Sequence, residues 1–389
     1  MSEPLAGLPG PARQSADGRR LIPVASPDLT GNEERYVADA LRSTWISSSG
    51  EFLERFELEW AELCECRAAV AVCNGTVALH LALLALDVRP GDEVLVPSLT
   101  YVATANAVRY VGAEPVFVDV DPETWCIDPT LLEASVTRRT KGIIAVHLYG
   151  HPADMDAINH VAGVHGLWVV EDASESHLAR YKGRRTGSLA SLATWSFYGN
   201  KLFTCGEGGA LTLDDRQLEL RVRTLKGQGV DPERRYFFPV TGYNFRLTNV
   251  ACALLCAQLE RRDEIVRRRR EIYARYHELL RGTAGIGFQP AAEWAEVAPW
   301  LFCVTVDPHA YGRTRDELID HLAAHGIETR PFFLSLHRLP PFREQSLNRR
   351  EDLPYTDLLS TRGLNLPTFS GLDPDDQEAI VEAIREFSR

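Results

Sequence analysis

At 389 residues the chain is long enough for two domains, or for one large α/β domain with a smaller companion. Hydrophobic residues at 45% and charged residues at 25% are ordinary globular usage, which leaves no case for disorder or a fibrous repeat. Forty-two basic against 54 acidic residues give a formal charge of −12, which argues against wholesale nucleic-acid binding, although a local basic patch could still hold a phosphorylated small molecule.

The first segment, MSEPLAGLPGPARQSADGRR, has no continuous apolar stretch of signal-peptide type and reads as a mobile arm over residues 1–21. Helical patterns follow at Asn32 to Arg42 and in EFLERFELEWAELC. The uncharged run Ala68 to Leu86 has the length of a membrane span, but Asn74-Gly75-Thr76 interrupts it. A buried strand, a tight turn and a buried helix account for it better. The middle of the chain then alternates. Apolar, β-branched runs occur at AAVAVC, EVLVP, PVFVDV, GIIAVHLY, LWVVED, LATWSF and GALTL, and most are separated by helical patterns such as TLLEASVTRR and DMDAINHVAGVHG. That order implies a mostly parallel sheet covered on both faces, with ligands at the carboxyl ends of the strands.

From Leu247 to Gly282 the pattern is helical, and a domain boundary is expected near Arg261. Arg267 to Arg270 reads as a solvated or ion-paired helix face, because Ile265, Val266, Ile272 and Tyr273 keep an apolar stripe in it. The remainder offers a strand, WLFCVTVD, a helix with a Thr314/Glu317 capping box closed by Gly326, and a last helix with Asp373 as N-cap and Pro374 after it. The expected organisation is therefore an arm (1–21), a large domain (22–260), and a connecting helix with a small α+β domain (261–389). Eight scattered cysteines read as reduced thiols of a cytoplasmic protein. The single C-x-C at Cys64 and Cys66 lacks the partners of a zinc site.

Chemistry is sought at the strand ends. Gly75 and Thr76 after the first strand open a helix whose free N–H groups suit an anion, or simply cap a buried helix. Tyr101 after the second could stack on a heterocycle or pack in the core. Glu171, Asp172 and Glu175 after the fifth need partners. Asp172 could keep a heterocyclic nitrogen protonated, or serve as an N-cap or ion pair. In SFYGNKLFTCGEGG the order of residues excludes a P-loop, since Leu202 follows Lys201 and the glycines come later. No G-x-G-x-x-G opens a helix either. A lysine beside apolar and aromatic neighbours is a nucleophile towards aldehydes. Lys201, Asp172 and a helix-terminal anion site form the minimal set for pyridoxal phosphate.

The motifs NGTVALHLAL, VPSLTYVATANAV, HLYGHPADMDAI, VVEDASESH, SFYGNKLFTCGEGG, KGQG, GYNFRLTN and ETRPFFLSLHRLPPF resemble those of the DegT/StrS nucleotide-sugar aminotransferases, nearest in look to the perosamine-forming branch. The resemblance runs from about Ile22 onward. It implies an α/β, aspartate-aminotransferase-like fold (type I for this cofactor), with Lys201 as the Schiff-base lysine and Asp172 as the partner of the pyridinium. It further implies Tyr101 on the ring, Gly75, Thr76 and Ser196 on the phosphate, and Asn244 reaching that phosphate from a neighbouring subunit, hence a homodimer with shared sites. Glu175 stands where many relatives have the glutamine that contacts the ring hydroxyl. Leu334-Ser335-Leu336-His337 departs from the usual aromatic-Pro before the histidine. Arg246 and His337 are candidate contacts to a carboxylate or a sugar diphosphate.

The activity implied is transamination of a keto-sugar nucleotide, a GDP- or TDP-linked 4-keto-6-deoxyhexose, with L-glutamate as donor and no role for nucleic acid or membrane. A cyclitol or antibiotic ketone as acceptor is an alternative that keeps the same residues. A sugar dehydratase of the same fold carries histidine in the place of Lys201, and a regulatory protein without turnover would not need the set Lys201, Asp172 and Glu175.

Overall fold

The structure, a computed structural model, describes residues 13–14, 20–231 and 233–388; most of the expected N-terminal arm lies outside them. The seven apolar runs form seven strands: β1 (Ala68–Val72), β2 (Glu93–Pro97), β3 (Glu114–Val118), β4 (Thr140–Val146), β5 (Trp168–Asp172), β6 (Leu192–Ser196) and β7 (Gly209–Leu213). They make one sheet in the order β1-β7-β6-β5-β4-β2-β3. Only β7 is antiparallel to its neighbours. Side chains alternate between faces, and both faces are covered. Val94 and Val96 enter one cluster with α3 (Gly75–Ala85) and α4 (Ala103–Tyr110), while Leu95 enters another with α5 (Met155–His165). Burial on both sides is why these strands read as unbroken apolar runs.

A third cluster joins α1 (Glu33–Ser43), α2 (Glu51–Leu63) and α7 (Asn249–Glu260) to the β1, β7 and β6 end of the sheet. Its centre is Trp60, edge-on to Trp195 and Phe197 at ring distances of 5.0 Å. β1 is an edge strand, and its open backbone groups are taken by side chains. Ala71 N–H donates to Glu57 Oε1 at 2.8 Å, Lys226 Nζ donates to the Ala71 carbonyl at 2.9 Å, and Arg223 Nη2 donates to that of Ala69 at 3.1 Å. Lys226 ends α6 (Arg216–Lys226). The chain after it returns along the same edge, with Phe245 N–H donating to the Lys226 carbonyl and Cys73 N–H to that of Phe245. An edge sealed in this way does not recruit foreign strands.

We propose the division of the chain at Arg261, where α7 gives way to α8 (Arg262–Leu280). Beyond it, β8 (Ile286–Phe288), β9 (Phe302–Val306), β10 (Arg330–Pro331) and β11 (Gly363–Leu366) form an antiparallel sheet in the order β8-β9-β11-β10. α8, α9 (Arg315–Ala324) and α10 (Pro374–Phe387) cover it. Thr314 and Glu317 form the expected reciprocal capping box. Ile22 also packs here, bridged to Ile327.

Two expectations change. TLLEASVTRR forms only a short turn and a four-residue helix, Leu132–Ser135. The Thr137 hydroxyl donates to the buried Glu93 instead of facing solvent, and side-chain bonds of this kind compete with helix. Within the arginine run, Arg267 is ion-paired on the surface with Glu271, but Arg269 is buried and donates to the carbonyls of Trp300 and Thr368. Among the described residues no helix is long and apolar enough to cross a membrane.

Candidate active site

The carboxyl ends of β1, β2, β4, β5 and β6 open onto one cavity of about 690 Å³, closed on the far side by residues of the small unit. One corner is the start of α3. Asn74, in extended conformation, accepts the Val77 N–H on its side chain at 2.9 Å. A Cβ on Gly75 would come within 2.7 Å of Ser196 Cβ, and one on Gly209 within 2.5 Å of the Asn74 carbonyl. Glycine at both positions lets α3, β6 and β7 touch. The first free N–H groups of the helix and the hydroxyls of Thr76 and Ser196 therefore face the same corner, where an anion is favoured.

The acidic residues of β5 and of the loop after it each have an account. Glu171 is fully buried and accepts the N–H groups of Gly187 and Leu189 at 2.7 and 2.8 Å. His147 also faces it at 2.9 Å. Because Ala153 N–H donates to His147 Nδ1 at 3.0 Å, the ring proton sits on Nε2 and points at Glu171. This is scaffold. Asp172 accepts the Thr104 hydroxyl at 2.8 Å and the Ser174 N–H at 3.3 Å, and it lines the cavity floor. Glu175 accepts the Tyr149 N–H on one oxygen at 2.7 Å and turns the other to Lys201 Nζ at 3.9 Å. Burial, with Asp172 close by, pushes the Glu175 carboxyl up to about 7 against the pull of Lys201 and the Tyr149 N–H. Tyr149 has a left-handed backbone, φ 51°, an uncommon conformation for a bulky residue. Glu175 and the Phe333 N–H, which donates to the Tyr149 hydroxyl, hold it there.

Lys201 follows β6 across a turn, its N–H donating to the Tyr198 carbonyl at 2.9 Å. Its amine lies 3.9 Å from the ring centre of Trp300. Burial lowers the amine below the ordinary lysine range, Glu175 and Asp172 oppose that, and Arg330 adds to it. His177 steadies the turn from behind, with Nε2 on the Ser196 carbonyl at 3.0 Å and the Phe203 N–H on Nδ1 at 3.4 Å. Burial and the lysine charge hold His177 down to about 3, so it is a neutral spacer.

Lys201, Asp172, Glu175, Gly75, Thr76, Ser196 and Tyr101 thus share one cavity. Three expected residues do not line it. Asn244 and Arg246 alternate outward on the β1 edge, Arg246 Nε donating to Asn244 Oδ1 at 3.0 Å, while Tyr243 and Phe245 stack inward beside His80. His337 is held at the end of β2. Its Nδ1 lies 2.8 Å from Ser98 Oγ, its own N–H donates to that oxygen, and Nε2 faces Asp357 at 3.7 Å. It ties the loop after Leu334 to the end of β2 and is buried away from the cavity. The sequence reading missed Trp300, Arg330, Phe333, Asn200 and Tyr149. HLYGH marks the Tyr149 turn, but nothing local marks Trp300 or Arg330 as cavity residues.

The set fits pyridoxal phosphate. The corner that a Cβ on Gly75 would fill would suit the phosphate, the half-exposed Tyr101 stands at the mouth, the carboxylate of Asp172 lies at the floor, and a desolvated lysine lines the same cavity. Fold and site together define a pyridoxal-phosphate enzyme of the aspartate-aminotransferase type. The chain belongs to the DegT/DnrJ/EryC1/StrS aminotransferase family, which matches residues 27–385, and it is a PLP-dependent aminotransferase. It is 45% identical to the GDP-perosamine synthase of Caulobacter vibrioides over 93% of this chain and 97% of that one. Among solved structures it is similar to DesI in the presence of its TDP-sugar product, at 32% identity and TM-score 0.89, covering 97% of this chain and 95% of that one. It is equally similar in sequence, at 32%, to 3-amino-5-hydroxybenzoic acid synthase, with TM-score 0.87 and coverage of 95% and 99%.

Proposed function

We propose that the protein aminates a keto-sugar nucleotide, a GDP-linked 4-keto-6-deoxyhexose, with L-glutamate as amino donor. The observation that carries the site is the meeting of Lys201, Asp172 and the α3 terminus in one cavity. The choice of acceptor is supported by the perosamine synthase relative. Pyridoxal phosphate, when bound, supplies the carbonyl that takes up the amino group and the electron sink for the carbanion. Lys201 Nζ is the covalent anchor of the cofactor and, once free, the base that carries a proton to and from the substrate carbon. Its lowered basicity suits both tasks. Asp172, held by Thr104, keeps a positive charge on the ring nitrogen. Gly75, Thr76 and Ser196 bind the phosphate, and Phe333 with Tyr101 covers the cavity mouth against water.

The protein acts as a homodimer in this reading, and Asn244 and Arg246 of each chain complete the partner's site. Their outward placement, on a segment anchored to the β1 edge, supports it. Mixing Lys201→Ala with Asn244→Ala protomers then restores activity that neither has alone. A soluble, cytoplasmic enzyme is the setting proposed.

A panel assay tests the acceptor. Holoprotein and L-glutamate are given GDP- and TDP-linked 4-keto-6-deoxyhexoses and a cyclic non-sugar ketone, and amine products are measured. The highest kcat/KM is expected for the GDP sugar. Preference for the cyclic ketone would overturn this reading in favour of the chemistry named by the 3-amino-5-hydroxybenzoic acid synthase relative.

A further inference from the structure

Trp300 stands just before β9, in the small unit, and is only 3% exposed. Its carbonyl accepts Arg269 Nη1 at 2.8 Å, and the same guanidinium donates to the Thr368 carbonyl. Arg269 is the one buried member of the arginine run. The tryptophan is thus fixed from behind by a charged side chain with no aqueous alternative, a costly arrangement to disturb.

Two further contacts of its ring fall on consecutive residues of the lysine loop. Indole Nε1–H donates to the Asn200 carbonyl at 2.8 Å, and the ring face lies 3.9 Å from Lys201 Nζ. The amine makes no hydrogen bond among the described residues; its nearest anion, Glu175, is at 3.9 Å. The ring is therefore as close to the amine as any charged group, and a desolvated aromatic face attracts an ammonium. The ionisable groups around the amine are Glu175 and Asp172, which favour its charge, and Arg330, which opposes it; His177 also senses its charge.

We propose that Trp300 is a positioning residue of the reaction. Its ring seats the Lys201 amine and its indole N–H locks the main chain at Asn200, so that the small unit, and not the strand that carries the lysine, sets where the amine stands. The proposal rests on the reading of Lys201 as the reacting lysine. A proton carrier displaced by about 1 Å loses up to ~100-fold in rate, so both halves of the reaction depend on this seat. The donor half and the acceptor half use the same amine.

The test follows the titration of the Lys201 amine by NMR of ¹⁵N-labelled lysine in holoenzyme saturated with L-glutamate. Fluorinated tryptophans are placed at position 300 alone. Fluorine drains the negative ring face at nearly constant shape, so the fold is kept. The titration midpoint is expected to fall stepwise with each fluorine, by about one unit in total. An unmoved midpoint would overturn the seat. Trp300→Phe keeps a ring but removes the N–H. It is expected to slow both half-reactions about tenfold with cofactor content unchanged, and wild-type rates in that variant would overturn the lock. A Lys201→Ala protein that still turned over would instead remove the reading of Lys201 on which the proposal rests.

Discussion

The α3 corner and the small-unit wall face each other across the same cavity, yet they are built by different means. The corner is made of backbone brought into contact at Gly75 and Gly209, each with no room for a Cβ. Its specificity lies in close approach, and its polar groups are those that any helix start leaves free. The wall is made of large side chains, Trp300, Phe333 and Arg330, held by long-range partners such as Arg269 and Tyr149. A corner of this kind binds one anion well and alters little. The wall's side chains come from outside the large sheet, so a change there leaves the packing of that sheet in place. Between the two stand Asp172, Glu175 and Lys201.

Predictions that probe this contrast run from large to small. Asp172→Asn keeps the shape and the Thr104 contact but removes the charge. Turnover is expected to fall by about 10²–10³ with the cofactor still bound at the corner; single-turnover rates with L-glutamate measure this. Glu175→Gln tests the buried carboxyl between corner and wall. Its folded-state pKa, about 7, is raised from an ordinary 4.5. Its stabilising contribution is therefore complete below about pH 4.5 and lost as pH rises through 7. Wild type should lose up to ~3 kcal/mol between pH 5 and 8 that the glutamine variant does not lose, read from urea unfolding at both pH values. Gly209→Ala should cost about 2–3 kcal/mol by driving β7 from the α3 turn and should weaken cofactor affinity, as a cofactor titration with melting curves would report. Arg269→Met relieves a buried charge but leaves two carbonyls unpaired. A net loss of about 1–2 kcal/mol is expected, with slower half-reactions and unchanged cofactor affinity. Equal loss of affinity in Gly209→Ala and Arg269→Met would erase the distinction between corner and wall.

The corner was legible in the sequence because its determinants are local. Asn74-Gly75-Thr76 is both cap and turn, and the glycines after Lys201 announce the approach of β7. The strands were legible because burial on both faces leaves continuous apolar runs. Asp172 and Lys201 could be picked out as polar residues at the ends of such runs. The wall was not legible, since Trp300 reads as any buried aromatic before a strand, and its partners lie 100 residues away at Asn200 and 31 at Arg269. Arg269 was misjudged for the same reason, because helical spacing cannot say which of four successive arginines meets a carbonyl from another element. The Ser98 contact of His337 was not legible either, because its partner lies 239 residues away.

The central claim is that Lys201 is the cofactor's covalent anchor. Borohydride reduction of the holoenzyme, followed by peptide mass spectrometry, tests it directly. The account predicts the cofactor mass on the peptide that contains Lys201 and nowhere else in stoichiometric amount; the same mass on any other lysine would contradict it.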